Sequence, residues 1–248
     1  MGRAGMIKAL IFDCDGVLVD TERDGHRVGF NRAFAQMGID AEWDVDLYGK
    51  LLLVAGGKER MRAYFDEYGW PDGADTAEAR DELIVALHKL KTEITSGLVA
   101  EGGLPLRPGI ARNVDEAIAA GVRLGVCTTS NPKFIDAVLD LLGPERKAKF
   151  DFVHAGDVVA KKKPAPDIYL LALETLGLQP HECMVIEDSR NGLLAARGAG
   201  LPTLVTTSTY TVDEDFTGAV KVVPELGDEP TVNVRLADLG ELAAATAA

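Results

Sequence analysis

Ile7-Lys8-Ala9-Leu10-Ile11-Phe12-Asp13-Cys14-Asp15-Gly16-Val17 is the stretch on which the fold turns. Apart from Lys8, the run up to Phe12 is apolar without alternation, the pattern of a strand covered on both faces and hence of a parallel sheet. Two carboxylates and a glycine end it abruptly. In open α/β sheets the carboxyl ends of the strands form the edge where ligands bind, so Asp13 and Asp15 are placed for chemistry. Acids two residues apart repel unless positive charge lies between them, and their oxygens suit a hard divalent cation. An acidic turn that merely closes a strand would look the same in isolation.

The pattern recurs down the chain. Val122-Arg123-Leu124-Gly125-Val126-Cys127 runs into Thr128-Thr129-Ser130-Asn131, Val153-His154-Ala155 into Gly156-Asp157, and Cys183-Met184-Val185-Ile186 into Glu187-Asp188-Ser189. Lys161-Lys162-Lys163-Pro164-Ala165-Pro166-Asp167 lies between the last two. Helical patterns over 110–120, 133–142, 165–176 and 191–198 alternate with these runs, and 203–207 offers a further strand. Such alternation requires right-handed crossovers, giving an α/β, doubly wound, Rossmann-like parallel sheet with helices on both faces. Residues 21–104 depart from it. They show only helical patterns, over 45–54, 59–68 and 76–98, the last with Leu83, Leu87, Leu90 and Ile94 on one face. The expected organisation is a core of residues 1–20 and 105–248 carrying an inserted all-α cap of residues 21–104. Its second hinge is Gly102-Gly103-Leu104-Pro105-Leu106-Arg107-Pro108-Gly109. From Asp228 onward the sequence turns Ala-rich, and roughly the last six residues are expected to fray.

Composition narrows the partners. The 26 Lys and Arg against 39 Asp and Glu leave a net charge of −13, which argues against nucleic acid or an anionic membrane surface, so any anionic substrate must be held by local cations. Cys14, Cys127 and Cys183 fall in or beside buried-strand patterns, where cysteine acts as a small hydrophobe and no disulfide framework is implied. The four histidines show no ligand spacing, and no apolar stretch approaches the length of a membrane span of about 18 residues. A monomer is expected.

In their order, Asp13-x-Asp15-Gly16, Thr128, Lys163-Pro164 and Glu187-Asp188 resemble the four motifs of the haloacid dehalogenase-like hydrolase superfamily. The resemblance implies that Asp13 attacks phosphorus to form an aspartyl-phosphate, and that Asp15 protonates the leaving alcohol and later deprotonates water. It also implies Mg2+ held by the Asp13 carboxylate, the Asp15 backbone carbonyl and Asp188, with Glu187 close behind, and Lys163 as the second cation. The acid at Asp15 points to phosphoryl transfer, because the dehalogenases of the superfamily lack it. Thr128 offers a hydroxyl, and Thr129, Ser130 and Asn131 stand where a helix N-terminus receives an anion.

Specificity is expected from Ala55-Gly56-Gly57-Lys58-Glu59-Arg60, where Gly57 leaves room at a helix start and Lys58 and Arg60 could bind a second anionic group. Glu22 could receive sugar hydroxyls, and Arg190 could assist from the core. Beyond the superfamily, Thr21-Glu22, His26-Arg27, Phe30-Asn31, Trp43-Asp44-Val45-Asp46-Leu47-Tyr48-Gly49, Gly56-Gly57-Lys58-Glu59-Arg60-Met61 and Gly69-Trp70-Pro71 are similar to the plant and algal CbbY proteins. That resemblance implies removal of the 1-phosphate of xylulose-1,5-bisphosphate, a misfire product that inhibits Rubisco, in the chloroplast stroma. Thr21 to Asn31 runs one residue longer than in bacterial relatives. Two other readings stand beside it. A β-phosphoglucomutase-like mutase shares the motifs but has arginine where this chain has Lys58, and a non-catalytic binding protein on this scaffold is disfavoured by the intact acid pair.

Overall fold

The structure, a computed structural model, describes residues 7–54 and 57–246, so Ala55 and Gly56 of the expected substrate-reading loop lie outside the described residues. Two compact units make up the chain, one of Met1–Asp20 with Pro105–Ala248 and the other of Thr21–Leu104.

In the first unit, β1 (Ala9–Phe12), β2 (Arg123–Cys127), β3 (Phe150–His154), β4 (Cys183–Glu187), β5 (Thr203–Thr206) and β6 (Lys221–Val223) form one sheet in the order β3-β2-β1-β4-β5-β6. Every neighbouring pair is parallel. The first strand is central, with Ile11 opposite Gly125 on one side and Val185 on the other. From β1 the chain winds outward through β2 to β3, then returns to the far side of β1 as β4, which puts the topological switch point between β1 and β4.

The helices of the second unit are α1 (Arg27–Gln36), α2 (Val45–Leu51), α3 (Gly57–Tyr68) and α4 (Ala77–Ala100). Those of the first are α5 (Ile110–Ala120), α6 (Pro132–Asp140), α7 (Pro144–Lys147), α8 (Asp167–Leu176), α9 (Arg190–Gly198) and α10 (Leu236–Thr246). Alternate strand residues divide between two layers because successive side chains point to opposite faces. Ala9, Ile11, Cys127, Cys183 and Val185 pack on Ile168, Tyr169 and Ala172 of α8 and Ala195 and Ala196 of α9. Leu10, Phe12, Leu124, Val126, Met184 and Ile186 face the other layer, where α5 meets β2 and α10 meets β4. Both central strands are buried along their whole length, which is why they carry no polar alternation.

The chain end departs from expectation. Residues up to Thr246 form α10 instead of fraying, because Leu236, Leu239 and Ala243 make a buried stripe against the sheet. Its start is tied down by the Arg235 amide donating to Asp238 Oδ2 at 2.7 Å and the Leu236 amide to Glu116 Oε2 at 2.8 Å. The third strand begins at Phe150, earlier than its apolar run suggests, and a side chain on Gly125 would collide with the Phe152 ring that fills the notch.

In the second unit Trp43 is the centre of an aromatic core, 4.7 Å from Phe30 and 5.0 Å from Phe34 between ring centroids. Asn31 fixes its backbone, donating to Trp43 O at 2.9 Å and accepting from Trp43 N at 2.8 Å. A π-helical turn, Thr21–His26, leads directly into α1. A π turn holds more residues than an α turn, which lets a longer segment enter the helix without shifting it. No helix among the described residues is long and apolar enough to cross a membrane.

Candidate active site

Each strand near the switch point delivers a polar residue at its carboxyl end. Asp13 leaves β1 with its amide still on the ladder, donating to Ile186 O at 3.0 Å. Thr128 leaves β2, and its amide donates to His154 O at 2.9 Å. Glu187 ends β4 and Asp188 follows, while Lys163 arrives from the loop between β3 and α8.

Lys163 binds these elements together. Its Nζ donates to Asp13 Oδ1 at 2.7 Å, Glu187 Oε1 at 2.6 Å and Cys127 O at 2.9 Å, which uses all three ammonium donors. Tyr169, buried in α8, donates its hydroxyl to the same Glu187 Oε1, and Lys163 Nζ lies 5.1 Å from the Tyr169 ring centroid. Glu187 is thus turned toward Lys163 and Tyr169, whereas Asp188 Oδ2 accepts from Ser208 Oγ at 2.8 Å. Gly16 and Gly192 make this crowding feasible: a side chain on Gly16 would collide with Asp188, and one on Gly192 with Glu187.

One carboxylate oxygen from each of Asp13, Glu187 and Asp188 lies within 4.8 Å of the other two, and all three residues are buried. Three carboxylates beside one ammonium leave an excess of negative charge in a dry site. Burial first, then the charges of Glu187 and Asp15, push the Asp13 carboxyl up to about 7 against the opposing pull of Lys163. Burial likewise holds Asp188 well above the usual carboxylate range, with Asp13 and Glu187 adding to it. Burial alone would lower Lys163, but Asp13 and Glu187 outweigh it and keep the ammonium charged. Compact oxygen donors and unmet negative charge fit a hard divalent cation.

Asp15 faces the end of β2, where Ser130 Oγ donates to its Oδ2 and Thr128 Oγ1 stands 3.5 Å away. Thr128 Oγ1 also accepts from the Ser130 amide at 3.1 Å. The next helix begins at Pro132, with Asn131 Oδ1 capping it by accepting from Lys133 N at 2.8 Å, so Thr129 and Ser130 precede the helix. Arg190 opens α9 and donates to the Asp215 side chain and to Asp215 O at 2.6 Å.

In the second unit Glu22, Tyr48 and Arg60 form a relay. Arg60, 8% exposed, donates to Leu51 O at 3.1 Å and to Tyr48 Oη at 3.0 Å, and Tyr48 donates to Glu22 Oε2 at 2.6 Å. Arg60 therefore orients Glu22 through Tyr48. Gly57 opens α3, and Lys58 beside it is exposed. Burial, then Lys91 and Lys58, hold His88 below its usual range, which places the Lys58 charge near His88. Tyr169 and Ser208 escaped the sequence reading, and Tyr48 entered it only within a stretch of family resemblance: the tyrosines sit in apolar stripes of helices, and Ser208 lies beyond the last strand run that was read.

A parallel sheet with an acid pair at its central strand's end, an ammonium on the first acid and further acids on the next strand defines an enzyme built for phosphoryl transfer. The family model for haloacid dehalogenase-like hydrolases matches residues 7–200, and the chain belongs to that family, as a phosphatase. Several of its relatives bear the name CbbY. A CBBY-like protein of Arabidopsis thaliana is 54% identical over 236 residues, covering 94% of this chain and 74% of that protein. CbbY from Rhodobacter sphaeroides in complex with phosphate is 42% identical with a TM-score of 0.74, over 94% of this chain and 99% of that one. A mutant of that protein in complex with xylulose-(1,5)bisphosphate matches with the same identity, score and coverage of 42%, 0.74, 94% and 99%.

Proposed function

We propose that this chain is a Mg2+-dependent sugar-phosphate phosphatase that works through an aspartyl-phosphate on Asp13 and converts xylulose-1,5-bisphosphate to xylulose-5-phosphate and phosphate. The observation that carries the mechanism is the Lys163 contact with Asp13 Oδ1 at 2.7 Å, which holds the carboxylate and leaves its second oxygen for attack. The substrate rests on the 42% identical relative with xylulose-(1,5)bisphosphate bound.

Asp13, the Asp15 backbone carbonyl and Asp188 would hold Mg2+, with Glu187 behind them. When bound, the metal supplies the positive charge that lets a phosphate dianion approach this acidic site. The protein groups do the rest. An Asp13 oxygen forms a bond to phosphorus as the bond to the sugar oxygen breaks, and Asp15 gives that oxygen a proton. Water then attacks phosphorus, Asp15 takes its proton, the bond to Asp13 breaks, and phosphate leaves with both acids restored. Lys163 offsets the charge on the transferring group, and Thr128, Thr129, Ser130 and Asn131 flank its oxygens. Lys58 is the cation assigned to the second phosphate, Glu22 to the sugar hydroxyls, with Arg60 setting Glu22, Gly57 leaving room and Arg190 supporting from the core.

A phosphate-release panel of sugar mono- and bisphosphates, with Mg2+ and with excess EDTA, tests this. Xylulose-1,5-bisphosphate should lead the panel and EDTA should abolish release. Full activity in EDTA overturns the metal, and a phosphorylated isomer formed without free phosphate would mark a mutase. The same reading implies the chloroplast stroma, which organelle fractionation checks.

A further inference from the structure

Arg107 lies in the loop before α5 and takes no part in the mechanism above, yet its guanidinium meets several carbonyls from distant parts of the first unit. It donates to Gly16 O, to Thr206 O at 3.3 Å, to Thr207 O at 2.7 Å and to Pro224 O at 2.6 Å, while its own amide donates to Leu18 O at 2.8 Å. Gly16 belongs to the turn after Asp13 and Asp15, and Thr206 and Thr207 close β5. Each side of that span touches Asp188. Gly16, at φ +74°, leaves no room for a side chain beside Asp188 Oδ2, and Ser208, the residue after Thr207, donates its hydroxyl to the same oxygen at 2.8 Å.

We propose that Arg107 and Ser208 form a brace that fixes Asp188 relative to the Asp13–Gly16 turn and so sets the affinity of the acidic cluster for a divalent cation. This rests on the reading of Asp188 as a metal ligand. Arginine suits the part because its planar fork of five donors serves several acceptors at once in fixed directions, which a lysine cannot. Groups that hold a metal ligand from behind are typically worth roughly 10–100-fold in metal affinity. Arg107 and Ser208 are positioning residues: Ser208 acts through Asp188, and Arg107 through the carbonyls of Gly16 and Thr207 on either side of it.

The test measures Mn2+ binding by calorimetry on the whole chain without substrate, together with thermal midpoints and phosphate release at rising Mg2+. Asp188→Asn should abolish Mn2+ binding. Ser208→Ala and Arg107→Met should each weaken it about tenfold or more, with kcat recovering at high Mg2+ and substrate KM unchanged, and Ser208→Thr should restore it by returning the hydroxyl. Wild-type Mn2+ affinity in Ser208→Ala, or in a folded Arg107→Met, overturns the brace and leaves the metal reading standing. If Arg107→Met fails to fold, Ser208→Ala decides alone. Undiminished Mn2+ binding by Asp188→Asn would remove the metal reading, and the brace with it.

Discussion

As the proposed nucleophile, Asp13 carries two burdens that conflict in the absence of a cation: it would have to be ionised to attack phosphorus, and it is buried beside two further acids. Its carboxyl is pushed up to about 7 from 3.8, so folding takes up a proton at this residue between those values. Its contribution to stability is therefore fully present below about pH 4 and is lost as pH rises through about 7. A divalent cation competes with that proton, so adding Mg2+ should raise the thermal midpoint more at pH 8 than at pH 5.5, and Mg2+ affinity should fall as pH drops below 7. Scanning calorimetry at the two values checks it; an equal shift at both would show that no proton leaves Asp13. Asp13→Asn removes the proposed nucleophile without changing shape. It should eliminate phosphate release, with turnover below a few per cent of wild type, and leave the circular-dichroism spectrum unchanged.

At the scale of elements, the first turn of α3 presents two cations of opposite character. Arg60 is buried and committed to Leu51 and Tyr48, whereas Lys58 is exposed, with its charge near His88. Arg60→Ala should cost the fold about 2–4 kcal/mol, since the truncation empties a packed site and takes away the donor to the Tyr48 hydroxyl oxygen and the Leu51 carbonyl. Lys58→Ala should leave stability within about 0.5 kcal/mol, as surface changes usually do. If it reads the second phosphate, it should reduce kcat/KM for xylulose-1,5-bisphosphate about tenfold to a hundredfold more than for a matched monophosphate, the value of one charge-assisted contact. Equal losses would move recognition elsewhere. The same elements show what the sequence makes legible. The strands β1, β2 and β4 were readable because burial on both faces leaves an apolar run, and the polar residues at their ends, acids after β1 and β4 and threonines after β2, interrupt it sharply. The last helix was not, because its many alanines make the stripe of Leu236, Leu239 and Ala243 faint until β4 and α5 are there to receive it. The two-cation reading of residues 58–60 failed to separate its members for the same reason: adjacent positions on a helix turn to different surroundings, and only packing tells which is buried.

On the scale of the whole molecule, the net charge of −13 sets a task for a protein whose substrate is an anion. The site meets it with local groups, Lys163 and an oxygen cluster suited to a divalent cation, so raising salt should weaken substrate binding only modestly, because buried pairs are screened less than exposed ones. Measuring KM from low to about 0.3 M salt checks this, and a steep dependence would implicate the exposed charges instead. The central placement of β1 has a further consequence, in the time domain. Its residues are laddered to β2 on one side and β4 on the other, and the amide of Asp13 continues the ladder. Backbone groups in such a position meet solvent only in molecules that have come apart entirely. Deuterium uptake at residues 10–13 should therefore occur at the rate of global unfolding, later than in the loop over 207–211. The carboxylate proposed to attack phosphorus is attached to the slowest-opening part of the chain, and its working lifetime would be that of the domain itself.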